Sequence, residues 1–280
     1  MKKITFFLTL FFALSLAAKD LIAKDLIVGM ELGYPPFEMS DTKGKPSGVS
    51  VDFLEKFAKE NGFNLVVQNI AWDGLIPALK TKKVDLIMSS MTITDERARV
   101  VDFTKPYAQA NLAILTPINS GVSSIKDLDE KGRILALKRG STGHLYAVKN
   151  LKNATLHLFD KENAAILEVI QGKADGFFYD QLSIYRAWQK HQDSTKAILS
   201  PFQEKPEFWG IAVRKGDEAL KNKLDNFIDE SKKNGFLDSL GDKYLKDIKE
   251  VFKQNKYHFF LVGLNFDIEL LHSVLALKFN

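Results

Sequence analysis

The chain of 280 residues contains no cysteine. It can therefore form no disulfide, no thiolate metal site and no lipid-anchored cysteine behind a leader peptide. Nucleotide motifs of the Gly-x-Gly-x-x-Gly or phosphate-loop type are missing too. The histidines show no paired ligand spacing and no nucleophile motif, which argues against metal or hydrolytic chemistry; they are His144, His157, His191, His258 and His272. We expect no catalytic residue, no metal site and no cofactor.

Neither sign of charge dominates the chain. Apart from Lys2 and Lys3 at the N-terminus, the chain has 37 basic residues and 35 acidic ones. The two signs are intermixed, which is typical of a solvated surface and not of a nucleic-acid footprint. We therefore expect no nucleic-acid partner.

The N-terminus has the pattern of a secretory signal peptide. Lys2 and Lys3 precede an apolar run from Ile4 to Ala18 that only three hydroxyl residues interrupt. The run is too short for a membrane span, and small residues follow it. We assign residues 1–23 to this leader, with cleavage after Ala17 or as late as Ala23. The mature protein is expected to be soluble in the periplasm, without a lipid anchor.

Short apolar strands alternate with amphipathic helices along the rest of the chain. This alternation predicts an α/β fold with mostly parallel sheets. The predicted strands are 26–28, 65–67, 84–88, 113–115, 134–137 and 176–179, and the predicted helices are 51–59, 75–80, 164–170 and 220–228.

One junction between a strand and a helix stands out at Ser89–Arg97. Thr94 is a good N-cap, and Asp95 and Glu96 suit the positive end of the helix dipole. Such a junction binds small anions, because helix-start amides lack internal partners and a guanidinium grips a carboxylate bidentately. The alternative is a capped surface helix on which Arg97 pairs with an Asp or Glu.

Two further places could contribute to a site. Gly140–Gly143 is a second turn of small residues at a helix start, although an ordinary glycine turn explains it equally well. Asp180 directly follows a strand with three aromatic residues, where a solvated loop carboxylate is hard to explain. The plausible alternative for Asp180 is a helix N-cap.

Six motifs, taken together, carry a family resemblance. They are Gly33-Tyr34-Pro35-Pro36-Phe37-Glu38, Gly48-Val49-Ser50-Val51-Asp52, Trp72-Asp73-Gly74-Leu75-Ile76-Pro77-Ala78-Leu79, the Ser89–Arg97 junction, Val101-Asp102-Phe103-Thr104-Lys105-Pro106-Tyr107 and Gly210-Ile211-Ala212-Val213-Arg214-Lys215-Gly216-Asp217. In this order and spacing, residues 24–245 closely resemble the polar amino-acid family of bacterial extracellular solute-binding proteins, which feed ABC importers. Two features depart from the family: Val49-Ser50 replaces its usual Phe-Asp, and Gly143 stands where a polar residue is common.

The resemblance implies a type II periplasmic-binding-protein fold, in which a cleft separates two α/β lobes and two crossing strands act as a hinge. We assign residues 24–108 and 211–254 to lobe 1 and residues 109–210 to lobe 2. The crossings are placed near Ala108–Asn111 and Phe208–Gly210. The tail 255–280 has no counterpart in the family; it is either an extra amphipathic helix or a frameshifted end without selected structure.

The resemblance also implies roles for individual residues. A ligand carboxylate would be held by Arg97 and Thr92 from the first lobe and by Thr142 from the second. The ligand ammonium would meet Asp180 and Ser90. Tyr34 and Trp72 look like walls of the side-chain pocket, although packing in the core or at the rim is the alternative, more so for Trp72. The full predicted set is Glu31, Tyr34, Trp72, Ser89, Ser90, Thr92, Arg97, Ser141, Thr142 and Asp180.

Specificity is expected to depend on Glu31. In this family an acidic residue at this position tends to accompany a cationic ligand. If Glu31 reaches the pocket, a lysine or arginine ligand is favoured, because an unpaired buried carboxylate would be costly. If it points to solvent, an uncharged polar amino acid fits as well. The interpretation leans to the cationic ligand, and it predicts that Glu31→Gln weakens lysine or arginine binding at least tenfold, about 1.4 kcal/mol.

The function that follows is that of a monomeric amino-acid-binding protein that captures its ligand by lobe closure and docks on a membrane permease. Three alternatives stay open. The fold could dehydrate arogenate or prephenate, with Glu31 as the acid. It could bind a neutral amino acid such as glutamine, asparagine or cysteine. It could also serve secondarily as a surface adhesin.

Overall fold

The computed structural model describes residues 23–254 and 260–261. The predicted leader therefore lies, except for its last residue, outside the described residues, and so does most of the tail. Fifteen strands are described: β1 Lys24–Met30, β2 Met39–Ser40, β3 Pro46–Ser47, β4 Phe63–Asn69, β5 Leu86–Ile87, β6 Val101–Phe103, β7 Ala108–Ala110, β8 Leu112–Pro117, β9 Ile134–Lys138, β10 Thr155–Phe159, β11 Gly176–Asp180, β12 Thr195–Ile198, β13 Glu207–Trp209, β14 Ala212–Arg214 and β15 Phe260–Leu261.

Nine α-helices accompany these strands in the described part of the chain. They are α1 Val49–Glu60, α2 Leu75–Lys80, α3 Asp95–Ala98, α4 Thr142–Asn150, α5 Glu162–Ile170, α6 Gln181–Lys190, α7 Glu218–Lys233, α8 Phe236–Tyr244 and α9 Lys246–Gln254. Within the same residues, no helix combines the length and the apolar composition that crossing a membrane requires.

The first lobe is built on a five-stranded sheet in the order β4-β1-β5-β14-β6. β1 runs parallel to β4 and β5, and its alternating residues Leu26, Val28 and Met30 are buried. α1 covers the sheet with a stripe of buried apolar residues that includes Phe53 and Phe57. The helix predicted from the amphipathic pattern over 51–59 is therefore confirmed, and it extends over 49–60 in the structure.

The second lobe repeats the arrangement with a sheet in the order β10-β9-β11-β8-β12. β9 is parallel to β10 and β11, whereas β8 is antiparallel to β11 and β12. The sheet of the first lobe is mixed in the same way, since β14 is antiparallel to β5 and β6. Each of these two sheets has two parallel and two antiparallel strand pairs, so the prediction of mostly parallel sheets is only half right. The antiparallel strands β8 and β14 are those that follow each crossing between the lobes.

The chain crosses between the lobes through β7 and β13, which pair antiparallel with Phe208 opposite Gln109. Both strands lie where the crossings were placed; the hinge role and the lobe boundaries stay predictions. β15 pairs with the other edge of β7. It is the only described part of the tail, and the other residues of the tail lie outside the described residues.

A buried carboxyl group, that of Glu38, lies beside Ser90, one of the residues predicted for the site. Glu38 is fully buried and accepts hydrogen bonds from the hydroxyls of Ser50 and Ser90, the latter at 3.0 Å. Burial raises the pKa of Glu38 from 4.5 to about 8. The departure at Ser50 thus has a structural use, because its hydroxyl is a partner for this carboxyl group.

The departure at Gly143 is explained by a close approach between α4 and β11. A Cβ atom on Gly143 would lie 2.5 Å from the carbonyl oxygen of Phe178. Only glycine allows this first turn of α4, which carries Thr142, to pack so close to the strand that ends at Asp180.

We predict that Gly143→Ala destabilises the protein. Alanine ordinarily favours a helix over glycine by up to ~1 kcal/mol, but overpacking against backbone costs about 1–3 kcal/mol. The free energy of unfolding in urea should therefore fall by about 1–2 kcal/mol. Gly33→Ala is the matched control, because no heavy atom lies within 4 Å of its added Cβ. Equal stability of the Gly143 variant and the natural protein would contradict the close approach.

A second prediction concerns pH. Glu38 keeps its proton in the folded protein up to about pH 8 but loses it in the unfolded chain above about pH 4.5. This residue therefore makes the free energy of unfolding decrease as the pH rises between those values. Urea titrations from pH 5 to 8 should show a shallower decrease for Glu38→Gln. Glu230→Gln, which makes the same substitution at an exposed position, is the matched control. Parallel slopes for Glu38→Gln and the natural protein would refute the raised pKa.

Candidate ligand-binding site

A cavity of about 40 Å³ lies between the two lobes. All ten residues predicted for the site line this cavity. Five lining residues were not predicted, namely Leu112, Lys138, Tyr179, Glu207 and Trp209. The structure thus brings the predicted set together, while the role of each residue toward a ligand stays a prediction.

The Ser89–Arg97 junction forms as the pattern predicted, but its helix is only one turn long. Thr94 caps α3, with its hydroxyl accepting from the backbone N–H of Arg97 at 3.3 Å. The Arg97 guanidinium is buried, with 8% of the residue exposed. The alternative was a surface helix on which Arg97 pairs with an Asp or Glu, whereas here the side chain is buried and donates to backbone carbonyls.

Contacts from both lobes hold the Arg97 guanidinium. Nη1 donates to the carbonyl of Thr92 at 2.7 Å, and Nη2 donates to the carbonyl of Gly140 at 3.1 Å. The guanidinium carbon also lies 5.2 Å from the centre of the Trp72 ring. Burial lowers the pKa of Arg97, and the nearby Glu207 carboxylate opposes this effect. The guanidinium therefore remains a cation, oriented by carbonyls and an aromatic ring at the cavity wall.

Glu207 was missed by the sequence analysis, although it joins the two lobes. Its Oε2 atom accepts from the hydroxyl of Thr92 in the first lobe and that of Thr142 in the second, both at 2.9 Å. Gln203 donates to Oε1 at 3.2 Å. Burial raises the pKa of Glu207. Thr92 and Thr142 were predicted to hold a ligand carboxylate, and here their hydroxyls hold a carboxylate of the protein.

The second-lobe turn, Gly140–Gly143, contacts side chains of the first lobe. Ser141 caps α4 by accepting from the N–H of His144 at 3.2 Å. The carbonyl of Gly140 receives the Trp72 indole N–H at 3.2 Å, besides Arg97. The turn is therefore more than an ordinary glycine turn, because it supplies an acceptor shared by two side chains from the opposite lobe.

Asp180 is a helix N-cap, as the alternative held, and its role toward a ligand ammonium stays a prediction. It ends β11 and caps α6, accepting from the N–H of Ser183 at 3.0 Å. It also lines the cavity with only 6% of the residue exposed. Burial raises the pKa of Asp180. One carboxylate can cap the helix with one oxygen and offer its remaining acceptor capacity to a cation in the cavity.

Glu31 reaches the cavity, as expected, but its carboxylate is not unpaired there. It forms an ion pair across the cleft with Lys138, a residue that the sequence analysis overlooked. The backbone N–H of Glu31 is fixed by the Ser89 hydroxyl at 3.0 Å. The premise that Glu31 would need a ligand cation as its partner must therefore be corrected, because the protein supplies a cation itself.

The remaining walls are aromatic. The Tyr34 ring is buried and lies 5.8 Å from the Trp209 ring, edge to face. Trp72 begins a short 3-10 turn after β4 and is partly buried. Both residues contribute cavity surface, as predicted for walls of a side-chain pocket. In the part of the chain that the structure describes, no three His, Cys, Asp or Glu side chains come together as a metal ion would require.

The two lobes also meet outside the cavity. Arg186 of α6 donates to the carbonyl of Pro35 in the first lobe at 3.0 Å. Together with the contacts of Gly140, Lys138 and Glu207, this bond bridges the cleft. The structure therefore shows the lobes in a closed arrangement.

Comparisons with known proteins agree with this architecture. The L-arginine-binding protein of Pseudomonas aeruginosa is 33% identical, over 79% of this chain and 88% of its own length. An ABC-transporter binding component of Wolinella succinogenes, solved in complex with lysine, is 37% identical, with a TM-score of 0.74 over 81% of this chain and 98% of that one. The ancestral amino acid-binding protein AncCDT-1, a precursor of cyclohexadienyl dehydratase, is 34% identical, with a TM-score of 0.71 over 79% and 94%.

These solved structures confirm the predicted two-lobe fold. Residues 26–247 match the profile of one family over most of the described chain. The chain belongs to the bacterial extracellular solute-binding proteins, family 3.

Proposed function

We propose that this protein binds a free polar amino acid outside the cytoplasm and delivers it to the permease of an ABC importer. The observation that carries the proposal is that one cavity is lined by a buried cationic side chain from one lobe and a buried acidic side chain from the other. Arg97 comes from the first lobe and Asp180 from the second. These are the partners that the carboxylate and the ammonium of an amino acid require once they leave water.

The relatives support the same function. The names of two of them specify arginine binding and a lysine complex, and the third is an ancestral amino acid-binding protein. All three cover most of this chain, so the similarity includes both lobes and the cleft. The function predicted from the sequence therefore agrees with proteins that share the whole architecture.

The charges in the cavity favour a cationic ligand. The lining carboxylates are Glu31, Asp180 and Glu207, whereas the lining cations are Arg97 and Lys138. A zwitterionic amino acid with a neutral side chain leaves this excess of negative charge in place. A lysine or arginine ligand offsets it with its side chain.

Capture follows from the way the contacts are divided between the lobes. A ligand that touches Arg97 and Asp180 together interacts fully only when the lobes are closed, so it shifts the population toward that state. The closed surface would then be recognised by the permease. A dissociation constant near micromolar, about −8 kcal/mol, suits capture followed by release.

One observation bears on the dehydratase alternative. AncCDT-1 is described as a precursor of cyclohexadienyl dehydratase, but as an amino acid-binding protein. The relatives of this chain are binding proteins. The acid named for the dehydratase is Glu31, whose carboxylate is already paired with Lys138. Binding is therefore the better proposal, and an assay for product from arogenate or prephenate separates the two.

Arg97→Ala tests the carboxylate site. The substitution should lower the affinity for arginine or lysine more than 100-fold, about 3–5 kcal/mol, because the ligand carboxylate would be buried without a cation. Isothermal titration calorimetry measures the loss. Arg99→Ala is the matched control, since Arg99 is exposed two positions along the chain. Near-normal affinity of the Arg97 variant would remove this residue from the binding site.

Asp180→Asn tests the ammonium site without removing the helix cap, because asparagine is also a good N-cap. The affinity for α-amino acids should fall at least tenfold, about 1.4 kcal/mol, since the ligand ammonium loses its counter-charge. Thermal unfolding should show that the fold is retained. The exposed Asp193→Asn serves as control. An unchanged isotherm would mean that Asp180 acts only as a cap.

A further inference from the structure

Lys138 is an unusual residue for the inside of a binding cleft. It ends β9, and only 4% of it is exposed. Its ammonium pairs with the Glu31 carboxylate from the opposite lobe. A buried ammonium costs free energy unless it has such a partner, so this lysine depends on the closed arrangement of the lobes.

Aromatic rings complete the surroundings of the Lys138 ammonium. Nζ lies 5.3 Å from the centre of the Trp72 ring and 5.9 Å from that of the Tyr179 ring. A carboxylate and two aromatic rings around one ammonium are the groups with which proteins bind cationic ligands. The cleft therefore contains a subsite for a cation, and the protein's own side chain occupies it.

We infer that Lys138 is a specificity-determining residue, whose ammonium competes with the cationic tail of a ligand for Glu31 and the aromatic pair. The inference rests on the proposed function, because it concerns the side-chain end of the same cavity. A lysine or arginine ligand must displace Lys138 from Glu31 or place a second cation beside it. A neutral amino acid leaves the pair intact.

The two ligand classes should therefore respond in opposite directions when Lys138 loses its charge. For a cationic ligand, removal of the competitor frees Glu31 and strengthens binding. For a neutral ligand, removal breaks an ion pair between the lobes that supports closure, so binding weakens or stays the same. A residue with a purely structural role would weaken both classes together.

The experiment compares Lys138→Met with the natural protein in calorimetric titrations with L-arginine, L-lysine and L-glutamine. Methionine keeps the length of the side chain and removes its charge. We expect arginine and lysine to bind the variant at least tenfold more tightly, and glutamine to bind no more tightly than before. Lys173→Met is the control, because Lys173 is an exposed lysine of the same lobe. It should match the natural protein with all three ligands.

A double variant, Lys138→Met with Glu31→Gln, tests the subsite itself. It should lose the gain for arginine and lysine, because the carboxylate that the competitor leaves free is gone. If Lys138→Met does not fold, as judged by circular dichroism, Lys138→Gln takes its place in every titration with the same expected outcome.

Two failures are distinguishable. If the natural protein binds amino acids but neither arginine nor lysine binds the variant more tightly, the inference about Lys138 is wrong and the proposed function stands. If no amino acid binds the natural protein or the variant, the proposed function fails and the inference fails with it.

Discussion

The closed cleft depends on the burial of charged groups between the two lobes. Arg97 is the clearest case, because its guanidinium is fixed by the Thr92 carbonyl on its own lobe and by the Gly140 carbonyl on the other. Loss of either contact would leave a buried cation without a partner and would raise the free energy of the closed form. The hydrogen bond from Arg97 to the Gly140 carbonyl therefore helps to fix the position of the second-lobe turn, and with it the distance between the cavity walls.

Glu207 and Lys138 extend the same constraint around the cavity. Each presents a charge to the opposite lobe, and each occupies groups that a ligand would also use: the threonine hydroxyls for Glu207 and the Glu31 carboxylate for Lys138. Closure is thus supported by internal partners as well as by a ligand. These contacts lower the free energy of the closed form even without a ligand.

Local patterns predicted much of the fold, and the family resemblance implied the ten predicted site residues, all of which line the cavity. The Thr94 cap and the amphipathic α1 could be read because each depends on residues a few positions apart. Lys138 and Glu207 could not be read in this way. Lys138 pairs with a residue 107 positions away, and Glu207 accepts from one 115 positions away. Only the docking of the lobes decides whether such side chains face a partner or solvent. The family and the two-lobe fold predicted from the motifs are confirmed.

Calorimetric titration of the leaderless protein with each of the twenty amino acids shows whether this cleft binds an amino acid. We expect saturable binding of arginine or lysine, with one ligand per chain and a dissociation constant near micromolar, about −8 kcal/mol. A best ligand that is neutral or acidic would contradict the cationic assignment alone. A folded protein that binds none of the twenty would contradict the account as a whole.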